Sequence, residues 1–277
     1  SFAPGRNFAT KLWNIGRFLL LQVGPEPVKP LSALSATDLI AADHWILGRI
    51  DTAIAAANTG LGPARPAGGA AWSERERKLG LRLDEYAESA RAFVWNDLAD
   101  WYLEHAKTRL APGHPERDTA RAVLVHAFDQ ALRLLHPVMP FVTESLWQKL
   151  PGRGGSEWLA QAAWPVTLGR ADRTKAAEFE LERDFATAIR EIKAGYAIPH
   201  SQTVQATMTG TMRLGDIFKA PDFVQKASGS VIVAEDRVRS ETAGRRILSG
   251  GVDVLVALEG IVDFAKEREK LGTELAG

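Results

Sequence analysis

The chain contains no cysteine. That excludes disulfide staples, thiolate zinc sites and cysteine nucleophiles, and it leads one to expect an intracellular, cytoplasmic protein. Net charge is also missing, with 34 basic against 34 acidic residues. Any attraction for a polyanion must therefore come from a local patch. No stretch approaches the roughly 18 consecutive apolar residues of a membrane helix. FLLLQVG is far too short and sits inside an amphipathic pattern, which argues against a signal peptide.

The usual marks of catalysis are absent too. There is no GxxxxGK[ST] loop, and GRGG at 152–155 follows a helical pattern rather than a strand, so it reads as a connector. The six histidines are scattered, with no HExxH or paired zinc spacing. His44 beside Asp43 and His105 beside Glu104 are sequence neighbours, and such neighbours on a helix point about 100° apart. Ser201 has no Gly-x-Ser-x-Gly frame. At 277 residues, 45% of them hydrophobic, the chain can build a proper core and two modest domains. It has the character of a chain that binds something rather than transforms it.

Periodicity predicts helices over residues 4 to 22, over Thr37 to Asn58 with Thr37 or Ser35 as cap, over Leu83 to Leu110, and over Glu116 to Leu135. A short fifth follows, with Pro140 near its first turn. A Gly/Pro/Ala-rich loop occupies 59 to 71. Helices joined by turns pack as an antiparallel bundle. Beyond the connector, 172 to 195 is a further helix. TVQATMT, SVIVAE and VDVLVAL read as strands, with a helix at about 214 to 227 between the first two. The tail from 259 is helical again, with Ile261, Phe264, Leu271 and Leu275 as its seam. The expected fold is mainly α: a bundle over 1–165, a connecting helix and small α+β unit over 166–260, and a truncated coiled-coil helix over 261–277.

The opening segment GRNFATKLWNIGRF holds three cations, two asparagines and three rings in fourteen positions, and no acid precedes Glu26. At about 100° per residue, Phe8, Leu12, Ile15 and Leu19 share the core stripe. Asn7, Lys11, Asn14 and Phe18 form a second stripe, and Arg6, Trp13 and Arg17 a third. Single-stranded nucleic acid calls for that mixture: cations for phosphates, rings to stack on bases, amides for base edges. A second helix neighbour could equally absorb Trp13 or Phe18, since a bundle helix often touches two others. In FVWNDLADWYLE, Val94, Leu98, Trp101 and His105 share an α-helical face flanked by Trp95 and Tyr102, and most of these rings read as core. Asp100 and Glu104 are placed to pair with cations of the first helix.

Three segments in order, GRNFATKLWNIGRF, VWNDLADWYLEHAK and LLHPVMPFVTESLWQKL, resemble the anticodon-binding helical domain of class I aminoacyl-tRNA synthetases. The first segment, through Arg6, Asn7, Phe8, Lys11, Leu12, Asn14, Arg17 and Phe18, is similar to the valine-specific family. The third is shared with the isoleucine, leucine and methionine enzymes. AIREIKAGYAIP stands where the valine family carries an Ile-Arg-x-Ile-Arg-like phrase, and EGIVDFAKEREKLGTEL resembles the first strand of its C-terminal coiled coil.

The resemblance implies a tRNA-recognition module of a valine–tRNA ligase, monomeric, packing on a catalytic domain and gripping a valine-accepting tRNA. Its tRNA-binding residues would be Arg6, Asn7, Lys11, Trp13, Asn14, Arg17 and Phe18: the cations on phosphates or bases, the asparagines on base edges, Phe18 or Trp13 stacking. The family's HIGH and KMSKS motifs do not occur in residues 1 to 277. The chain is thus expected to be a C-terminal fragment, inactive alone, with no cofactor of its own, while the parent uses ATP with Mg. A helical scaffold without RNA binding, or the equivalent domain of another branched-chain synthetase, are the alternatives.

Overall fold

The computed structural model describes residues 3–24, 26–62, 74, 81–153, 155–210 and 221–264. Most of the 59–71 loop, the start of the 214–227 helix and nearly all of the 261–277 coiled-coil segment lie outside the described residues. The chain divides into two compact units, 1–177 and 178–277.

The first unit is a helical bundle. It comprises α1 (Ala3–Val23), α2 (Ala41–Gly60), α3 (Leu83–Ala92), α4 (Leu103–Arg109), α5 (Arg117–Leu135) and α6 (Pro140–Trp147). The stripe of α1 is buried as expected, with Phe8, Leu12, Ile15 and Leu19 all at 5% exposure or less. Gly16 lies beside them for a reason periodicity does not supply. A Cβ there would stand 2.6 Å from Leu146 Cδ2 and 3.2 Å from Phe128 Cζ, so glycine lets α1 lie close on α5 and α6.

Two boundaries depart from expectation. Residues 36–38 are a separate 3₁₀ turn closed by Asp38, whose carboxylate accepts from the Ser35 amide (2.7 Å) and hydroxyl (2.8 Å). Leu39 and Ile40 run extended, and α2 starts only at Ala41, where Asp43 accepts from the Ile40 amide at 3.1 Å. The predicted 83–110 helix is continuous, but Phe93–Tyr102 between α3 and α4 is π-helical. Its i→i+5 bonds turn each residue through less than an α-helix does. Burial recurs about every four residues, at Phe93 and Val94, at Asp97 to Ala99, and at Trp101 to Leu103. Tyr102 is therefore not a flank of the face but wholly buried in it.

Asp43, wholly buried, ties these departures together. Arg109 grips it with both terminal nitrogens at 2.8 Å, and the Tyr102 hydroxyl donates to it at 2.7 Å. Arg109 Nε then reaches Glu116 at 2.8 Å, just before α5. Burial pushes the Arg109 guanidinium down, but the bonds and charge of Asp43 more than restore it, leaving its pKa above the ordinary value. Burial, together with the Arg109 charge, pushes the adjacent His105 imidazole down to about 4.

A strap then runs back along α2. Asn58, Asp51 and His44, two helical turns apart, accept in turn from Trp164 Nε1 (2.7 Å), from the amides of Leu168 and Gly169 (2.8 and 2.9 Å), and from the Asp172 amide (3.1 Å).

The second unit contains most of α7 (Arg173–Gly195), then α8 (Pro221–Ser228) and a four-stranded mixed sheet. Its strands are β1 (Val204–Thr209), β2 (Ser230–Ile232), β3 (Ala243–Leu248) and β4 (Val252–Ala257), in the order β2-β1-β4-β3. β1 runs parallel to β2 and antiparallel to β4. β3 was not foreseen, because the consecutive Arg245 and Arg246 of this edge strand erase the period of two. Gly244 in it is required by packing, since a Cβ would meet Ile192 Cγ2 at 2.4 Å. Lys193, buried, is satisfied without an acid: its ammonium donates to the carbonyls of His200, Gln202 and Gly229 at 3.0, 2.7 and 3.1 Å. The fold is mainly α with a small α+β unit.

Removing the Asp43 carboxylate strands a buried guanidinium, so Asp43→Ala is expected to destabilise the bundle by about 3–5 kcal/mol. A shift of the urea midpoint at unchanged slope measures this. His105 gives a second expectation. Its folded-state pKa lies below the ordinary 6.5, so the unfolded chain takes up the proton first. Its contribution is complete above pH 6.5 and disappears as pH falls through 4, of the order of 3 kcal/mol in all. Stability curves of His105→Gln and the parent should differ in slope across that window and run parallel above it.

Candidate nucleic-acid interface

The second stripe of α1 forms one wall of an open groove of about 550 Å³. Asn7, Thr10, Lys11, Asn14 and Phe18 contribute that wall, and Asp100, Leu103, Glu104 and Lys107 face them from the π-helical segment and α4. α1 supplies the polar wall because its opposite stripe is committed to the core. The facing wall exists because Asp100, Glu104 and Lys107 recur at spacings of four and three along one helical face.

The two walls are bound to each other. Lys11 Nζ donates to Asp100 at 2.8 Å and lies 3.7 Å from the centroid of the Trp95 ring. That ring in turn stacks on Phe8 with centroids 6.1 Å apart. Opposite Phe18, the Lys107 ammonium sits 5.3 Å from the ring centroid and 2.5 Å from Glu104. The groove thus holds two ammoniums and two carboxylates and is locally neutral.

Of the residues singled out from sequence, Asn7, Lys11, Asn14 and Phe18 are brought together here. Arg6, Trp13 and Arg17 are not, and stand exposed on the outer stripe, Trp13 at 43%. Neither Arg6 nor Arg17 makes an ion pair among the described residues. Phe18 is half-buried, so both core packing and an accessible ring edge are realised in one side chain. Lys11 is a quarter exposed and already paired, a constraint on the phosphate role expected of it. The pairing of Asp100 with a cation of the first helix is as expected. Glu104 instead takes Lys107 of its own helix. Thr10 and Lys107 were missed. The spacing of Lys107 from Glu104 and Asp100 was the available signal for it.

No metal-holding cluster of three His, Cys, Asp or Glu side chains occurs among the described residues, and no described helix is long and apolar enough to cross a membrane. Elsewhere in the bundle, Asp129 accepts from Trp147 Nε1 and Arg133 Nε, both at 2.7 Å, and from Arg153. Arg153 of the GRGG segment lies over the Trp147 ring at 3.9 Å. Arg153 thus acts as a structural clamp on Asp129 and Trp147.

Residues 79–208 match the family model of the anticodon-binding domain of tRNA ligase, which takes in the π-helical wall of the groove. Over nearly the whole chain, α1 included, valine–tRNA ligases align. That of Thermosynechococcus vestitus is 33% identical over 280 residues, covering 97% of this chain and 28% of the relative. That of Streptomyces coelicolor is 31% identical, covering 98% and 28%. That of Petrotoga mobilis is 30% identical, covering 99% and 29%. The chain spans a little under a third of the length of these relatives. The helical bundle thus contains most of a match to the anticodon-binding domain of tRNA ligase, and the bundle and its trailing α+β unit together are similar to the corresponding region of valine–tRNA ligases.

Proposed function

We propose that this chain recognises the anticodon stem-loop of a valine-accepting tRNA, in support of ATP-dependent attachment of valine by a catalytic region outside residues 1–277. The observation that carries it is the groove between α1 and α4, where two amides and a half-buried phenyl ring share one wall. Amides fit base edges and a ring offers a stacking surface, whereas a locally neutral groove fits bases better than phosphates. Asn7 and Asn14 take the base edge and Phe18 stacks. Arg6 and Arg17, exposed on the next stripe, meet the backbone phosphates. Lys11 lies between these roles: its pairing with Asp100 leaves it to a base rather than to a phosphate. Trp13, exposed away from the groove, takes a second stacking contact or a neighbouring domain of the parent. In that parent, residues 1–165 act as the binding bundle and 166–260 as the connecting helix and small α+β unit. The protein works as a cytoplasmic monomer.

A scaffold that binds only other domains is separated from this function by one measurement, the affinity for an RNA hairpin carrying a valine anticodon against one with a scrambled loop. Phe18→Ala should weaken the anticodon hairpin by one to two orders of magnitude, in line with the roughly 1–3 kcal/mol of a stacked base. Arg17→Glu should weaken both hairpins and flatten the dependence of log K on log salt by at least about 0.7. Equal binding of the two hairpins by the unmodified chain would remove the groove from anticodon recognition.

A further inference from the structure

The groove has a feature that attraction for RNA does not explain: every ammonium in it faces a carboxylate. Lys11 meets Asp100 at 2.8 Å across the two walls, 89 positions apart in sequence, and Lys107 meets Glu104 at 2.5 Å. Both pairs are partly exposed, with side-chain exposures of 25% and 45% in the first and 36% and 41% in the second. Pairs so exposed contribute little to stability. A surface built only to hold phosphates would leave those lysines unpaired, as Arg6 and Arg17 are among the described residues of the outer stripe.

Resting on the tRNA recognition proposed above, we infer that Asp100 and Glu104 are specificity-determining residues: by pairing Lys11 and Lys107 they withdraw the groove's cations from phosphate, so that only a strand presenting a base to Asn7, Asn14 and Phe18 is retained. The carboxylates act through the lysines. Each lysine is also held against a ring, Lys11 over Trp95 and Lys107 over Phe18, so that the pairing fixes the aromatic geometry of the groove as well as its charge. A phosphate entering the groove meets two anions before it meets a free cation. A base edge meets amides, and a carboxylate still has acceptor capacity for a base N–H. Selectivity then comes from rejecting the common feature of all RNA, its backbone charge, as much as from binding the particular one.

The test uses the full 277-residue chain, the anticodon hairpin and the scrambled hairpin, titrated over a range of salt. Asp100→Asn/Glu104→Gln should bind the scrambled hairpin about tenfold more tightly and lose most of its discrimination. Its log K against log salt should steepen by about 1.4, for two freed lysines on single-stranded RNA. Glu85→Gln/Glu88→Gln removes the same charge from the ion pairs with Arg82 and Arg91 on α3 and should change neither quantity. Asp100→Glu should retain discrimination. Thermal melting of each variant verifies that the fold is intact. A discriminating parent chain whose Asp100→Asn/Glu104→Gln variant keeps the same slope and discrimination refutes the role of the carboxylates and leaves tRNA recognition standing. If the control double variant reproduces the effect, overall charge is responsible and the inference fails. If no chain binds either hairpin at low salt, tRNA recognition itself is overturned.

Discussion

The bundle depends on one buried ion pair. Asp43 and Arg109 are both removed from water, and neither tolerates the loss of the other. Their fork-to-fork contact fixes where α2 begins, because the same carboxylate takes the Ile40 amide. It fixes the end of the π-helical segment, because Tyr102 must bring its hydroxyl to the same oxygen as one arm of Arg109. It fixes the start of α5 through Glu116. Asp100, two positions before Tyr102, is thereby held facing α1, and with it the second wall of the groove.

The groove is consequently a tertiary object assembled from two helices with different internal geometry. α1 is an ordinary amphipathic helix, and its core stripe of Phe8, Leu12, Ile15, Leu19 and Val23 leaves Lys11, Asn14 and Phe18 nowhere to go but its side. The facing helix is re-phased by ten π-helical residues. That re-phasing buries runs of two or three adjacent positions and still turns Asp97 toward Arg49, at 2.9 Å, and Asp100 toward Lys11. On a straight α-helix Tyr102 would stand about 180° from Phe93, at the margin of the core face. The ladder of Asn58, Asp51 and His44 shows the same economy on α2, whose other face carries Trp45, Ile46 and Ile50.

Much of this was legible in the residues. The stripes of α1, the helical spans near 83–110 and 117–135, Pro140 at a helix start and three of four strands all follow from periodicity and punctuation. α2 began four residues late because the Ser35–Asp38 box, a true capping signal, closes a separate 3₁₀ turn. β3 was hidden because an edge strand needs no alternation, and its arginines supply none.

The sequence alone determined which side of α1 is core, that no cysteine, no GxxxxGK[ST] loop and no HExxH spacing occurs in these residues, and which family the order of three segments resembles. Those properties are local, set by side-chain period and residue type. Only the tertiary structure decided that Asn7, Lys11, Asn14 and Phe18 share a groove while Arg6, Trp13 and Arg17 do not. Only it decided that Lys11 is already paired and that Tyr102 is buried. Each of these rests on partners dozens of positions away, and a π-helical turn shifts a face in a way that no fixed 100° period can reveal.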